Sequence, residues 1–110
     1  MGQKDLILDL TTTNAYQDSR KSQVKNWGTK LLLIKNTGDT NGLTYIIKAY
    51  ADGDDDDSEH TLLSATNLAH SSGIIYKTTD PWDVIYVQVK SQVDGSHTDC
   101  KIWCNRGVHA

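Results

Sequence analysis

Two stretches of alternating side chains, residues 84–93 and 98–104, constrain the fold of this chain more than any other feature. In the first stretch Ile85, Val87, Val89 and Val93 fall on one face, because successive side chains of a strand point to opposite sides. The opposite face is mostly polar and carries Tyr86, Gln88, Lys90 and Gln92. Since residues 94–97 form a short connection, the two stretches predict a β-hairpin in an antiparallel sheet with one buried face.

Turn-forming residues recur along the chain at intervals of about 8 to 12 residues, which is typical of an all-β sandwich. We predict a single antiparallel β-sandwich over residues 1–110, immunoglobulin-like or jelly-roll-like, with about seven or eight strands. The polar stretch 12–25 is predicted to be extended and could form an arm that reaches a neighbouring subunit. The predicted core consists of Ile34, Tyr45, Ile47, Ile85, Val87, Val89, Cys100 and Ile102.

The composition argues against a membrane protein. Hydrophobic residues make up 37% of the 110 residues, and the longest apolar run, residues 31–34, is far shorter than the roughly 18 residues of a membrane span. We expect no signal peptide, because the first apolar stretch is interrupted at Asp9, and no myristoylation site, because position six is Leu6.

Charge is divided unevenly along the chain. Residues 1–50 carry seven bases and four acids, whereas residues 51–110 carry four bases and ten acids. This distribution argues against a specific nucleic-acid partner, and it permits head-to-tail attraction between copies that salt would screen. Charges that only keep the fold soluble are the alternative explanation.

The two cysteines, Cys100 and Cys104, are not expected to bond to each other. Four residues of strand separate their Cα atoms by about 13 Å, and a disulfide requires less than about 7 Å. We therefore predict two buried thiols in a protein made in a reducing compartment, with an intermolecular bridge as the alternative.

An acidic stretch between residues 51 and 60 is the strongest local signal for a ligand. Its carboxylates could surround Ca²⁺, which prefers oxygen ligands, although the spacing does not match the helical calcium loop. We expect a solvated and mobile connection and no required cofactor, and keep Ca²⁺ as the alternative. The candidate metal ligands are Asp52, Asp54, Asp55, Asp56, Asp57 and Glu59.

The sequence contains no pattern that predicts an enzyme. The four histidines have no metal-like spacing with one another or with the cysteines, and nucleophile motifs and phosphate-binding glycine loops are absent. We therefore expect a protein without catalytic residues.

Aromatic residues are the better functional candidates. Trp103 should share the outer face of its strand with Asp99 and Lys101, where either a loop covers it or a partner binds it. A sugar-stacking platform of Trp27, Trp82 and tyrosines is a third option. The predicted interface residues are Trp103, Tyr16, Arg20, Lys21, Trp27 and Trp82.

Two parts of the sequence resemble a known kind of module. Residues 34–39 followed by 43–50, and the C-terminal stretch 84–105, resemble elements of small immunoglobulin-like β-sandwich modules found in phage and virus structural proteins and in bacterial surface proteins. The chain lacks the cysteine pair and strand-C tryptophan of antibody domains. The resemblance therefore implies a structural role and no transferable active site.

Together these features predict a non-enzymatic assembly protein. The expected role is a virion subunit, capsid or decoration, made in the host cytoplasm, whose partners are other protein subunits in a homo-oligomer or lattice, without a membrane or specific nucleic-acid partner. The alternative is a glycan-binding or Ca²⁺-binding β-sandwich module of a larger surface assembly, in the cytoplasm or at the cell surface.

Overall fold

The computed structural model describes residues 3–53 and 55–107, which form nine strands and one short 3-10 helix, Asp56–Ser58. None of the helices in these ranges is long and apolar enough to cross a membrane. The strands are β1 (Gln3–Thr11), β2 (Gln17–Asp18), β3 (Ser22–Gln23), β4 (Lys30–Asn36), β5 (Leu43–Tyr50), β6 (Glu59–Leu68), β7 (Ser72–Thr78), β8 (Val84–Ser91) and β9 (Asp99–Arg106).

The strands form two antiparallel sheets. Sheet A has the order β1-β9-β4-β7, and sheet B has the order β2-β8-β5-β6 with β3 also paired to β8. Each sheet hides one apolar face against the other, which is the defining packing of a β-sandwich. The predicted all-β antiparallel sandwich is therefore confirmed, while the finer immunoglobulin-like detail stays a prediction.

The core lies between the central strands of the two sheets. Ile34 of β4 and Ile102 of β9 belong to the same buried cluster as Ile47 of β5 and Val87 of β8, and all four side chains are inaccessible to solvent. Burying each such side chain contributes about 1.5–3 kcal/mol. All eight residues predicted for the core are buried.

The predicted β-hairpin is wrong, although both of its strands exist. β8 pairs with β5 in sheet B, whereas β9 pairs with β1 and β4 in sheet A. Residues 92–98 therefore cross from one sheet to the other. Alternation shows which face of a strand is apolar, but that face can be buried across the sandwich as well as beside a sequence neighbour.

Two side chains of the first C-terminal stretch also depart from prediction. β8 ends at Ser91, so Val93 lies in the following turn and is 60% exposed instead of sharing the buried face. Tyr86 is buried although it lies on the face predicted to be polar, because Lys21, which lies between β2 and β3, and Glu59 of β6 contact it on that face.

Residues 12–25 lie along the domain's own edge. The backbone N–H of Ser19 donates to the carbonyl of Val87 at 2.8 Å, and that of Arg20 donates to the carbonyl of Ile7 in β1 at 2.9 Å. Val24 is fully buried. The segment thus covers the side of the sandwich between β1 and β8, and its exchange with a neighbouring subunit stays a prediction.

A buried polar network ties the two sheets together at one end of the sandwich. The hydroxyl of Thr98 donates to Asn36 Oδ1 at 2.7 Å, and the backbone N–H of Thr98 donates to Thr12 Oγ1 at 3.0 Å. The hydroxyls of Thr12 and Ser91 are 2.8 Å apart. Because all four residues are buried, each hydrogen bond compensates a group that has lost water.

The substitution Asn36→Ala should lower the free energy of unfolding by about 2–4 kcal/mol, because it leaves buried partners without hydrogen bonds. These partners include the hydroxyl of Thr98 and the carbonyl of Leu68. The matched control is Asn67→Ala, which removes the exposed acceptor of a hydrogen bond from Thr44 and should cost less than about 1.5 kcal/mol. Urea unfolding measures both. An equal loss in the free energy of unfolding for the two variants would contradict the proposed contribution of the network to stability.

Candidate functional site

The outer face of sheet A carries four apolar side chains in one row, one from each strand. Trp103 of β9 lies opposite Leu6 of β1 and Leu33 of β4, and Leu33 lies opposite Ile75 of β7. Opposed residues of antiparallel strands point to the same side of the sheet, so the four form a continuous strip, here called the apolar row. Ile75 is 68% exposed and Leu6 is 39% exposed.

Two lysines lie over the indole ring of Trp103. The Nζ atom of Lys4 is 5.2 Å from the ring centroid, and that of Lys35 is 5.9 Å from it. Both distances fit cation–π contacts. Residues 12–25, which could have covered this tryptophan, lie along β8 instead, so the cover of Trp103 comes from side chains on its own face.

Sequence reasoning selected Trp103 but missed the other members of the apolar row. A signal for one of them exists in the apolar run of residues 31–34. In a strand with only one buried face, such a run must place alternate residues outward, and here these are Leu31 and Leu33, of which Leu33 lies opposite Trp103. Leu6 and Ile75 join it only through strand register, which the sequence does not display.

The outer face of sheet B holds a closed cluster of aromatic and charged groups. The rings of Tyr50 and Tyr86 stack with centroids 5.8 Å apart, and Lys21 Nζ lies 4.9 and 5.6 Å from them. The hydroxyl of Tyr86 donates to Glu59 Oε2 at 2.8 Å, and Lys48 Nζ is 3.4 Å from Glu59 Oε1. These groups satisfy one another, so we interpret the cluster as structural.

Ionisation of this cluster follows from its contacts. The hydrogen bond from Tyr86 is the largest cause that lowers the pKa of Glu59, and it outweighs the opposing effect of burial. Burial is the main cause that raises the pKa of Tyr86. At neutral pH Glu59 is therefore an acceptor and Tyr86 a donor.

The six predicted interface residues do not form one surface. Trp103 and Lys21 lie on the outer faces of opposite sheets. Arg20 donates from its guanidinium to the carbonyl of Leu6, and Tyr16 is 37% exposed. The interface role assigned to them stays a prediction.

Trp27 and Trp82, by contrast, come together. They line one pocket of about 200 Å³ whose polar lining includes Asn26, Lys30 and Asp83. The indole Nε1 of Trp82 is buried and has no hydrogen-bond partner among the described residues. The pocket therefore combines aromatic walls with polar groups, which is the general composition of a small-molecule site.

The described residues of the acidic loop, 52, 53 and 55–58, are held by hydrogen bonds within the loop and by one to Asp83. Asp55 accepts from the N–H of Asp57 at 3.0 Å, the hydroxyl of Ser58 donates to the carbonyl of Asp55 at 2.7 Å, and the N–H of Gly53 donates to Asp83 at 2.8 Å. Among the described residues no three His, Cys, Asp or Glu side chains converge as metal ligands. Asp54 lies outside the described residues, and calcium binding by the loop stays a prediction.

Ser91 and His97 have the atoms of a nucleophile and a base but lack access. Ser91 Oγ is 2.8 Å from His97 Nδ1 and 2.8 Å from Thr12 Oγ1. Ser91 is only 1% exposed, so a substrate could not reach its oxygen. The Ser91 hydroxyl therefore belongs to the buried polar network, with the exposed His97 at the edge of that network, rather than to a nucleophilic site.

Cys100 and Cys104 are buried and unpaired. Burial raises the pKa of Cys100 to about 12 and is also the main cause that raises the pKa of Cys104. Since the thiolate is the species that forms disulfides, both residues are poorly placed to bond to a neighbouring subunit.

Comparisons with known proteins find shared folds but no sequence family. No protein-family model matches the chain, and no curated protein matches it significantly. A chain from the structure of Bacillus endospore appendages, which form a family of disulfide-linked pili, is similar with a TM-score of 0.59 and 11% sequence identity. The similarity covers 98% of this chain and 88% of that one.

Chains of infectious bursal disease virus have the same fold. The Gx strain chain gives a TM-score of 0.51 with 10% identity over 99% of this chain and 32% of its own length. A chain of the T13 viral particle gives 0.51 with 9% identity over 98% and 31%. The present chain thus spans about a third of these viral chains. Their fold agrees with the resemblance to β modules of viral structural proteins.

The Tyr86–Glu59 hydrogen bond predicts that the cost in stability of removing the Tyr86 hydroxyl depends on pH. Folding lowers the pKa of Glu59 below its unfolded value of about 4.3. The stabilisation that ionised Glu59 gives the folded state is therefore complete above that value and is lost as the pH falls through the folded pKa. Tyr86→Phe should cost about 1.5–3 kcal/mol at neutral pH and clearly less near pH 3. Urea unfolding at several pH values measures this.

The control for this experiment is Tyr76→Phe, a substitution of the same chemistry in sheet A. Its effect on the free energy of unfolding should not change over the same pH range. If the cost of Tyr86→Phe stayed constant from neutral pH to pH 3, the stabilising role of ionised Glu59 would be disproved.

Proposed function

We propose that this protein is a non-enzymatic structural subunit that builds an ordered assembly through contacts between copies of itself. The observation that carries the proposal is the apolar row on the outer face of sheet A. A sandwich that works alone would expose polar side chains at these positions, because one face of each sheet already supplies the core.

The dimensions of the molecule support this use of the face. The chain measures 41 × 32 × 17 Å, so a sheet presents a broad, flat side. That side offers more than the about 800 Å² per partner that a stable protein interface of standard size buries. Trp103 at the middle of the row is the kind of residue that dominates interface energy.

We further propose that the assembly is a virus particle, in which the chain is a capsid or decoration subunit made in the host cytoplasm. The sequence resemblance to viral structural modules supports this choice, as does the fold shared with chains of infectious bursal disease virus. A fibre at a cell surface is the alternative assembly, supported by the fold shared with the endospore appendage chain.

Removal of an apolar side chain from the row should weaken self-association. Ile75→Ser should raise the dissociation constant about 10-fold to 100-fold, because burying such a side chain contributes about 1.5–3 kcal/mol. The matched control is Val93→Ser, which removes an apolar side chain of similar exposure that lies off the face. Sedimentation velocity over a concentration series measures both. A wild-type chain that stays monomeric at millimolar concentration, or equal effects of the two substitutions, would refute the proposal.

Sugar binding is a second candidate function, favoured by the pocket between Trp27 and Trp82. Its volume of about 200 Å³ lies below the roughly 300–1,000 Å³ of typical ligand sites, so it would hold one sugar ring of a longer glycan. A glycan that binds there should quench tryptophan fluorescence in the wild type and not in Trp82→Ala, with Trp103→Ala as the control. A glycan array that yields no binder would remove this candidate.

A further inference from the structure

The apolar row is framed by basic side chains. Lys4 and Lys77 lie two residues along their strands from the row on one side, and Lys35 and Lys101 lie two residues from it on the other. Asp9 of β1 is the cross-strand neighbour of Lys101, so three of the four lysines lack a carboxylate directly opposite them in register. The ion pairs of the described residues are Lys48–Glu59 and Arg106–Asp5, so none of these four lysines is neutralised by one. A partner that covered the row would have to place negative charge next to them, because a desolvated and unpaired ammonium group is costly.

The chain carries such negative charge on its other layer. Asp52, Asp55, Asp56 and Asp57 are exposed in the loop between β5 and β6 of sheet B. No cation pairs with these four carboxylates among the described residues. Hydrogen bonds hold the 3-10 helix and its preceding residue Asp55 in a defined shape, so docking would not have to order these residues.

The loop cannot neutralise the lysines of its own molecule. It joins Tyr50 and Glu59, which are paired with each other in sheet B. The lysines lie on the far side of sheet A, beyond both inner faces of the sandwich. Contact between the two charged regions therefore requires two molecules.

We infer that the acidic loop of one copy docks on the lysine-framed apolar row of a second copy. The inference rests on the proposed function and names the region of the second copy that contacts the apolar row. The two contacting regions differ, so the interface is heterologous, and repetition of it yields a closed ring or an open fibre rather than a two-fold dimer.

The two parts of this interface have different tasks. The apolar row supplies affinity through burial, whereas the charges select the partner region and accelerate encounter. Because the charges lie at the rim, their attraction should be screened once the Debye length, about 8 Å at 0.15 M salt, shortens further. Association should therefore weaken as salt increases.

Charge reversal on each side tests the contact. The face variant Lys35→Glu with Lys77→Glu, and the loop variant Asp52→Lys with Asp57→Lys, should each raise the dissociation constant by at least about tenfold. A chain with all four substitutions should recover most of that loss, because the attraction is restored with inverted signs. Lys25→Glu and Asp94→Lys reverse exposed charges elsewhere and should change the dissociation constant by less than about threefold.

The outcomes separate this inference from the proposed function. If Ile75→Ser weakens association while the loop variant does not, the copies associate through the apolar row but the acidic loop is not the partner, and the inference is overturned alone. Failure of the four-substitution chain to regain association overturns it as well. If the wild type does not associate at any concentration or salt, both the inference and the proposed function are wrong.

Discussion

The structure depends on the apolar contact between the two sheets. Each sheet buries its inner face only because the other sheet is present, and the central strands β4, β9, β5 and β8 contribute fully buried side chains to one cluster. The network of Thr12, Asn36, Ser91 and Thr98 fixes how the sheets meet at one end. With both inner faces committed in this way, the exposed apolar side chains on the outer face of sheet A, Leu6 and Ile75, are left over from folding and are available for other contacts.

The strands and the core could be predicted from sequence because both are local consequences of alternation. Ile85, Val87 and Val89 repeat with period two, and this fixes their common face whatever strand lies beside them. The strand that pairs with β8 could not be predicted from alternation. Its pairing with β5 and the placement of β9 in the other sheet are decided by closing the sandwich, which joins residues far apart in the chain.

The candidate site was predictable to the same extent and for the same reason. Alternation within β9 places Trp103 outward, but Leu6, Leu33 and Ile75 become its neighbours only through register between four strands. A bulge in β1 between Leu6 and Leu8 adds to the difficulty, since it turns Leu6 outward and leaves both Ile7 and Leu8 buried. Such an irregularity leaves no trace in a periodic pattern.

The position of the two cysteines determines whether the contacts in an assembly of this protein would be covalent or reversible. With Cys100 and Cys104 enclosed in the interior, no covalent bond between subunits is available from either thiol unless the sandwich opens. The interfaces between copies would then be reversible and equally strong under reducing and oxidising conditions. Such a structure could be taken apart by dilution or by a change of ionic conditions, and it would repair itself by exchanging subunits.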